Sequence, residues 1–156
     1  MVRVLALTIS HGLVLAVGFA LGVYFLPILT APPSPDAAML SRNAKTALFE
    51  ATFAEDLSGN DFLHWGKGRV SVGAEMIVHR GELAPGPDYK LYLVKQFVEN
   101  EEQFERAKAE AVRLGDIKTF NGFLVDVPDG IDVRDFTTVL IWCEAFGEFI
   151  AAAKYR

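Results

Sequence analysis

Cys143 is the only cysteine in the 156-residue chain. A lone thiol cannot close an internal disulfide, so its chemistry is limited to packing, ligation of a prosthetic group, reaction with a small oxidant, or pairing with another chain. Few imidazoles could assist it. Of three histidines, His11 lies in a long apolar run, leaving His64 in Asp61-Phe62-Leu63-His64-Trp65-Gly66 and His79 in Glu75-Met76-Ile77-Val78-His79. Two His, one Cys and Met76 are nominally the inventory of a blue-copper site. A cupredoxin, however, places a His and usually a Met shortly after its ligand Cys, and Glu144–Arg156 contains neither. Covalent c-type haem needs Cys-x-x-Cys-His, which is absent. Noncovalent haem held by Cys143 or His64 stays open, as does the absence of any cofactor.

Reactivity at sulfur requires thiolate, which a cation, a helix N-terminus or a metal can stabilise. Glu144, next in the chain, has the wrong charge. An unassisted thiol with a pKa near ~8.5 is mostly protonated at neutral pH, so a redox role for Cys143 calls for a bound metal or a basic neighbour distant in sequence. In the run Thr138-Val139-Leu140-Ile141-Trp142-Cys143, strand alternation puts Cys143 on one face with Val139 and Ile141, and Trp142 on the other with Leu140. If the first face is the core, Cys143 is a small buried hydrophobe. Glu144 follows at once, so the thiol is also expected near the rim of the sheet.

Other chemistries find less support. Asp126, Asp129, Asp132 and Asp135 surround Pro128 and Gly130 but lack EF-hand spacing, and read as a turn rich in Asx bonds. No Gly-x-Ser-x-Gly, His-Glu-x-x-His, Walker loop or dinucleotide fingerprint is present. Arg3, Arg42 and Lys45 against Asp36 give residues 1–46 a net charge of +2, so the rest of the chain holds −7 of the overall −5. An acidic domain without a basic stripe would repel phosphate backbones, so nucleic acid is not an expected partner.

The elements that must position these residues are mostly strands. Apolar and polar residues alternate in Arg69-Val70-Ser71-Val72, Glu75–His79 and Lys90–Val94, punctuated by Gly, Pro and Asp. Further candidates are Leu48–Phe53, Phe123–Val127, Val139–Cys143 and Phe149–Tyr155. The pattern predicts an all-β domain over residues 47–156, an antiparallel sandwich or barrel-like fold. One helix is expected to be inserted over Glu99–Arg113, where Phe97, Phe104, Ala107, Ala111 and Leu114 recur near helical spacing and Glu102 precedes Arg106 at i,i+4. It reads either as a lid over one sheet edge or as the cover of a ligand pocket lined by Phe97 and Phe104.

Several of these tracts carry a resemblance. Gly66-Lys67-Gly68-Arg69-Val70-Ser71-Val72, Gly86-Pro87-Asp88-Tyr89-Lys90-Leu91-Tyr92-Leu93, Leu114-Gly115-Asp116-Ile117-Lys118 and Val139-Leu140-Ile141-Trp142-Cys143 with Phe146 are together similar to the DM13 domain. The most specific parts are Gly86-Pro87-Asp88 with its following strand, and Ile141-Trp142-Cys143. The resemblance implies a small β-rich electron-transfer module acting through Cys143, as a bare thiol or through a bound group, with His64 where similar domains often carry a His. It also implies an extracytoplasmic domain, periplasmic in a Gram-negative cell, serving a redox partner in the envelope. The competing expectation is a binding or structural module with Cys143 as inert core. Gly86-Pro87-Asp88 itself reads as structural: Pro87 fixes φ, Gly86 permits an unusual conformation, and Asp88 bonds back to nearby amides.

Mean hydropathy is +0.25 although 22% of residues are charged, so the apolar excess is concentrated. It lies at the N-terminus: Val4–Pro35 holds no charge, and Leu5–Leu26 is almost wholly apolar, slightly longer than the ~20 residues that cross a bilayer as a helix. A single-pass anchor over residues 1–30 is expected, followed by a Pro-rich spacer over 31–46. A cleaved signal peptide is the rival, but the run exceeds the usual ~7–15-residue apolar segment and no small-x-small site ends it. Arg3 lies on one side, Arg42 and Lys45 on the other, so charge alone does not orient the anchor. Gly18 and Gly22 form a small-xxx-small pair through which two anchors could associate.

Overall fold

The structure, a computed structural model, describes residues 1–156. Its domain is a sandwich of two four-stranded antiparallel sheets. One sheet has the order β1 (Ala47–Phe53), β2 (Gly66–Gly73), β3 (Met76–Leu83), β6 (Phe123–Asp126); the other has β5 (Val112–Ile117), β4 (Tyr89–Val94), β7 (Thr138–Cys143), β8 (Glu148–Lys154). The two ladders remain separate, which decides between sandwich and barrel in favour of the sandwich.

The alternation seen in the sequence explains which sheet faces what. Val70, Val72, Ile77, Leu91, Leu93, Val139 and Ile141 point into a 21-residue core between the sheets, and Cys143 belongs to the same set. Strands β4 and β7 are buried at every position. Their outer faces are covered as well: Tyr92, Leu140 and Trp142 lie in a second cluster with Phe104 of a short helix. Each fully buried large apolar side chain stabilises such a layer by roughly 1.5–3 kcal/mol.

The inserted helix is shorter than the sequence suggested. It covers Glu101–Ala107 (α3, the third helix in the chain), is capped by the Asn100 side chain on the Gln103 amide, and ends in a 3₁₀ turn at Glu110. Residues 112–117, partly included in the expected helix, instead form β5, whose backbone pairs with β4 through a bulge between Leu91 and Tyr92. The unpaired edge of β4 overrides the local helix propensity. Phe104 is fully buried on Trp142 and Tyr92, whereas Phe97 is exposed, so α3 covers the outer face of the sheet rather than a pocket.

Helix α1 runs from Val2 to Thr30, is long and apolar enough to cross a membrane, and buries none of its residues in the protein. Within the expected spacer, Ala37–Asn43 forms α2, capped by Asp36 on the Met39 amide. Leu40 and Ala44 seat it on Val78 of β3.

Strands β1, β3, β5 and β7 all end at the same end of the sandwich. Loops 54–65, 84–88, 118–122 and 144–147 therefore gather there, and the C-terminal half of α1 lies across them: Val17–Tyr24 beside Leu63, Pro85 and Phe146, and Pro27–Pro32 beside Gly86–Lys90.

Candidate functional site

Cys143 closes β7 at this loop end and is 2% exposed. It pairs with Tyr89, the first residue of β4. The hairpin turn after it places Gly147 at φ +69°, a left-handed conformation that glycine adopts without strain, and the Gly147 N–H donates to the Cys143 carbonyl at 2.9 Å. Burial pushes the thiol above its usual pKa. The backbone N–H groups of Phe146, Asp88 and Ala145 act in the opposite direction by offering hydrogen bonds to sulfur, while the Asp88 charge adds to the rise. The site is thus a desolvated sulfur whose ionised form the neighbouring backbone amides favour, without outweighing burial.

Glu144 is not the thiol's unfavourable neighbour. Its carboxylate turns to the outer face of the sheet, where it accepts from Lys108 Nζ at 2.7 Å and from the Tyr92 hydroxyl. Partial burial raises its pKa, but Lys108 and Tyr92 outweigh that and hold it below the usual carboxylate range. Trp142, on the same outer side, packs on Phe104 with Lys108 over its ring and contributes structure, not chemistry, to the site.

His64 comes from the loop between β1 and β2. Asp61 shapes that loop: one carboxylate oxygen accepts the amides of Leu63 and His64, each at 2.7 Å, and the other lies 3.0 Å from His64 Nδ1. Burial raises the Asp61 pKa, and these donors more than offset it, leaving it lowered. Asn60 ties the loop to β8 by donating to Ile150 O at 2.8 Å. With Nδ1 held by a carboxylate, Nε2 is the ring atom left to accept a proton or a ligand, the arrangement in which histidines bind metals.

Although distant in sequence, Cys143 and His64 line the same cleft of about 540 Å³. Eleven of its fifteen lining residues are hydrophobic, among them Leu63, Pro85, Phe146 and, from α1, Val17 and Tyr24. Its size and apolar walls suit a small organic molecule or a macrocycle. No three His, Cys, Asp or Glu side chains converge anywhere as a metal-binding group. Cys143 and His64 are the cysteine and histidine donors that line the cleft.

His79 is not part of this cleft. It is fully buried between Phe53 and Phe123, with Nε2 bonded to Lys67 O at 2.9 Å, and burial lowers its pKa to about 4. It is a neutral core histidine.

Gly86-Pro87-Asp88 belongs to the site for reasons other than those read from sequence. Gly86 does not adopt positive φ; a Cβ there would sit 2.3–2.4 Å from the Tyr89 ring, so the glycine allows that ring to lie against the loop. The Asp88 side chain pairs with Lys90 Nζ at 2.5 Å, not with local amides. Its backbone serves the site: the amide favours the ionised thiol and the carbonyl accepts from Glu144 N–H at 3.0 Å. Sequence reasoning missed the roles of Leu63, Pro85 and the amides of Ala145 and Phe146. Phe146 and the Gly86–Leu93 tract were visible only as motif members.

The fold and this end of it define a class: a small antiparallel sandwich whose single cysteine closes a central strand under a glycine-proline loop. The profile described as "Electron transfer DM13" matches residues 52–155, and the chain belongs to the DM13 family. No curated protein and no solved structure gives a significant match.

Proposed function

We propose that the chain is a membrane-anchored electron-transfer module, its domain on the extracytoplasmic side, whose redox centre is the cleft shared by Cys143 and His64. The observation that carries this reading is that those two residues line one apolar cavity. A bare thiol there is a poor electron carrier, because burial keeps it protonated at neutral pH. A group ligating sulfur would displace that proton, and the amides of Phe146, Asp88 and Ala145 would then stabilise the resulting anion. Cysteine and histidine are both haem ligands, and haem bound here would supply a one-electron couple in a site of low polarity. Cys143 and His64 would hold it, Asp61 would fix the His64 tautomer, and Leu63, Pro85 and Phe146 would exclude water. Electrons would pass to and from a partner protein of the envelope.

Voltammetry of the full-length protein, purified from its native membrane, tests this. A reversible wave that shifts in His64→Ala and disappears in Cys143→Ala is expected; no wave in the unmodified protein would contradict it.

A second reading, a binding module with Cys143 as inert packing, has support in the 2% exposure and raised pKa of the thiol. It predicts that Cys143→Ala leaves ligand or partner binding unchanged.

A further inference from the structure

Outside α1, the most exposed large apolar side chains are Phe62 at 86% and Phe146 at 53%. Both sit in loops at the loop end of the sandwich, and Phe146 and Leu63, the residue after Phe62, line the cleft. Water is an unfavourable solvent for such a group, and an exposed apolar patch next to an apolar helix calls for an occupant.

Helix α1 indicates which. Its 29 residues extend about 43 Å at ~1.5 Å per residue, against a hydrocarbon core of ~30 Å. Roughly the last third of the helix, from about Gly22 onward, therefore lies at headgroup depth, where a tyrosine such as Tyr24 is favoured. The loop end meets α1 from Val17 onward, with Val17–Tyr24 beside the cleft and Pro27–Pro32 beside Gly86–Lys90, so the contact straddles the boundary between hydrocarbon core and headgroups. Only Ala31–Asp36 separates α1 from α2, which is seated on β3, so the domain cannot stand far from the membrane. Three carboxylates at this end are paired internally: Asp61 with His64, Asp88 with Lys90, and Glu144 with Lys108. None of these three needs a cation from elsewhere.

We infer that the domain docks on the bilayer surface through Phe62, Leu63 and Phe146, which insert among the lipid headgroups and acyl chains beside α1. The occupant of the patch is lipid, and the cleft at Cys143 opens toward the bilayer rather than toward bulk water. This rests on the reading of α1 as the membrane anchor.

The test uses the full-length chain in vesicles of phosphatidylethanolamine and phosphatidylglycerol, with a photoreactive benzoylphenylalanine at position 62, 146 or, as control, 105 on the exposed side of α3. Phospholipid adducts severalfold more abundant at 62 and 146 than at 105 are expected. Phe62→Ser should keep the wild-type melting temperature, since the side chain is exposed, and should lower adduct yield at 146. Equal yields at all three positions, in a chain that resists alkaline carbonate extraction, would overturn the docking and leave the anchor standing. Extraction by carbonate would overturn both.

Discussion

The two domain histidines occupy regions that handle polar chemistry in opposite ways. In the middle of the sandwich, His79 is walled by Phe53 and Phe123, keeps one ring nitrogen on Lys67 O, and leaves Nδ1 without a partner. At the loop end, His64 is partly exposed, its Nδ1 held by Asp61, and it shares a cleft with Cys143. The contrast teaches that burial alone does not make a site here. The interior uses a polar residue as neutral filling, while the strand ends gather donors from loops distant in sequence around a cavity.

If that contrast holds, changes in the interior should register in stability and changes at the loop end in ligand chemistry. The largest effect is expected from Phe53→Ala, which opens a cavity beside His79 and should cost about 3–5 kcal/mol in denaturant unfolding. Acid should come next. The His79 pKa is lowered to about 4 from an ordinary 6.5, so the folded state binds fewer protons than the unfolded chain between those values. The stability this provides is fully present above pH 6.5 and is lost as pH falls toward 4, by about 3 kcal/mol. His79→Phe should remove that part of the slope, and His64→Ala should leave it in place; a slope that followed His64 would break the comparison.

Much of this division could be read in advance. Period-two patterning located the strands because alternate residues enter different layers, and the Val139–Cys143 alternation correctly put Cys143 on one face with Val139 and Ile141 and Trp142 on the other with Leu140. Strand β5 was obscured because Glu99–Arg113 favours helix locally, and only the free edge of β4 decides otherwise. The cleft was half legible. Cys143 and His64 stood out by type, but their meeting depends on the strand order, and the amides that face the sulfur carry no side-chain signature. Gly86 was visible as a marker, yet its reason, the Tyr89 ring against it, is a tertiary contact.

At the loop end, Cys143→Ala should cost only about 1 kcal/mol, the removal of one small group from a packed wall. The same substitution should abolish the voltammetric wave. Smallest in stability is His64→Ala, expected within ~0.5 kcal/mol because the ring is partly exposed. It should nevertheless shift the midpoint potential of the wave. A large loss of stability in His64→Ala with an unchanged wave would reverse the roles assigned to the two regions.

The most direct measurement is the ultraviolet and visible absorption spectrum of the full-length protein, purified without reductant from its native membrane, beside that of Cys143→Ala. A Soret or charge-transfer band present in the first and absent in the second is the predicted result. A spectrum showing only tryptophan and tyrosine in both would contradict a redox group at the cleft and leave the binding module as the better account.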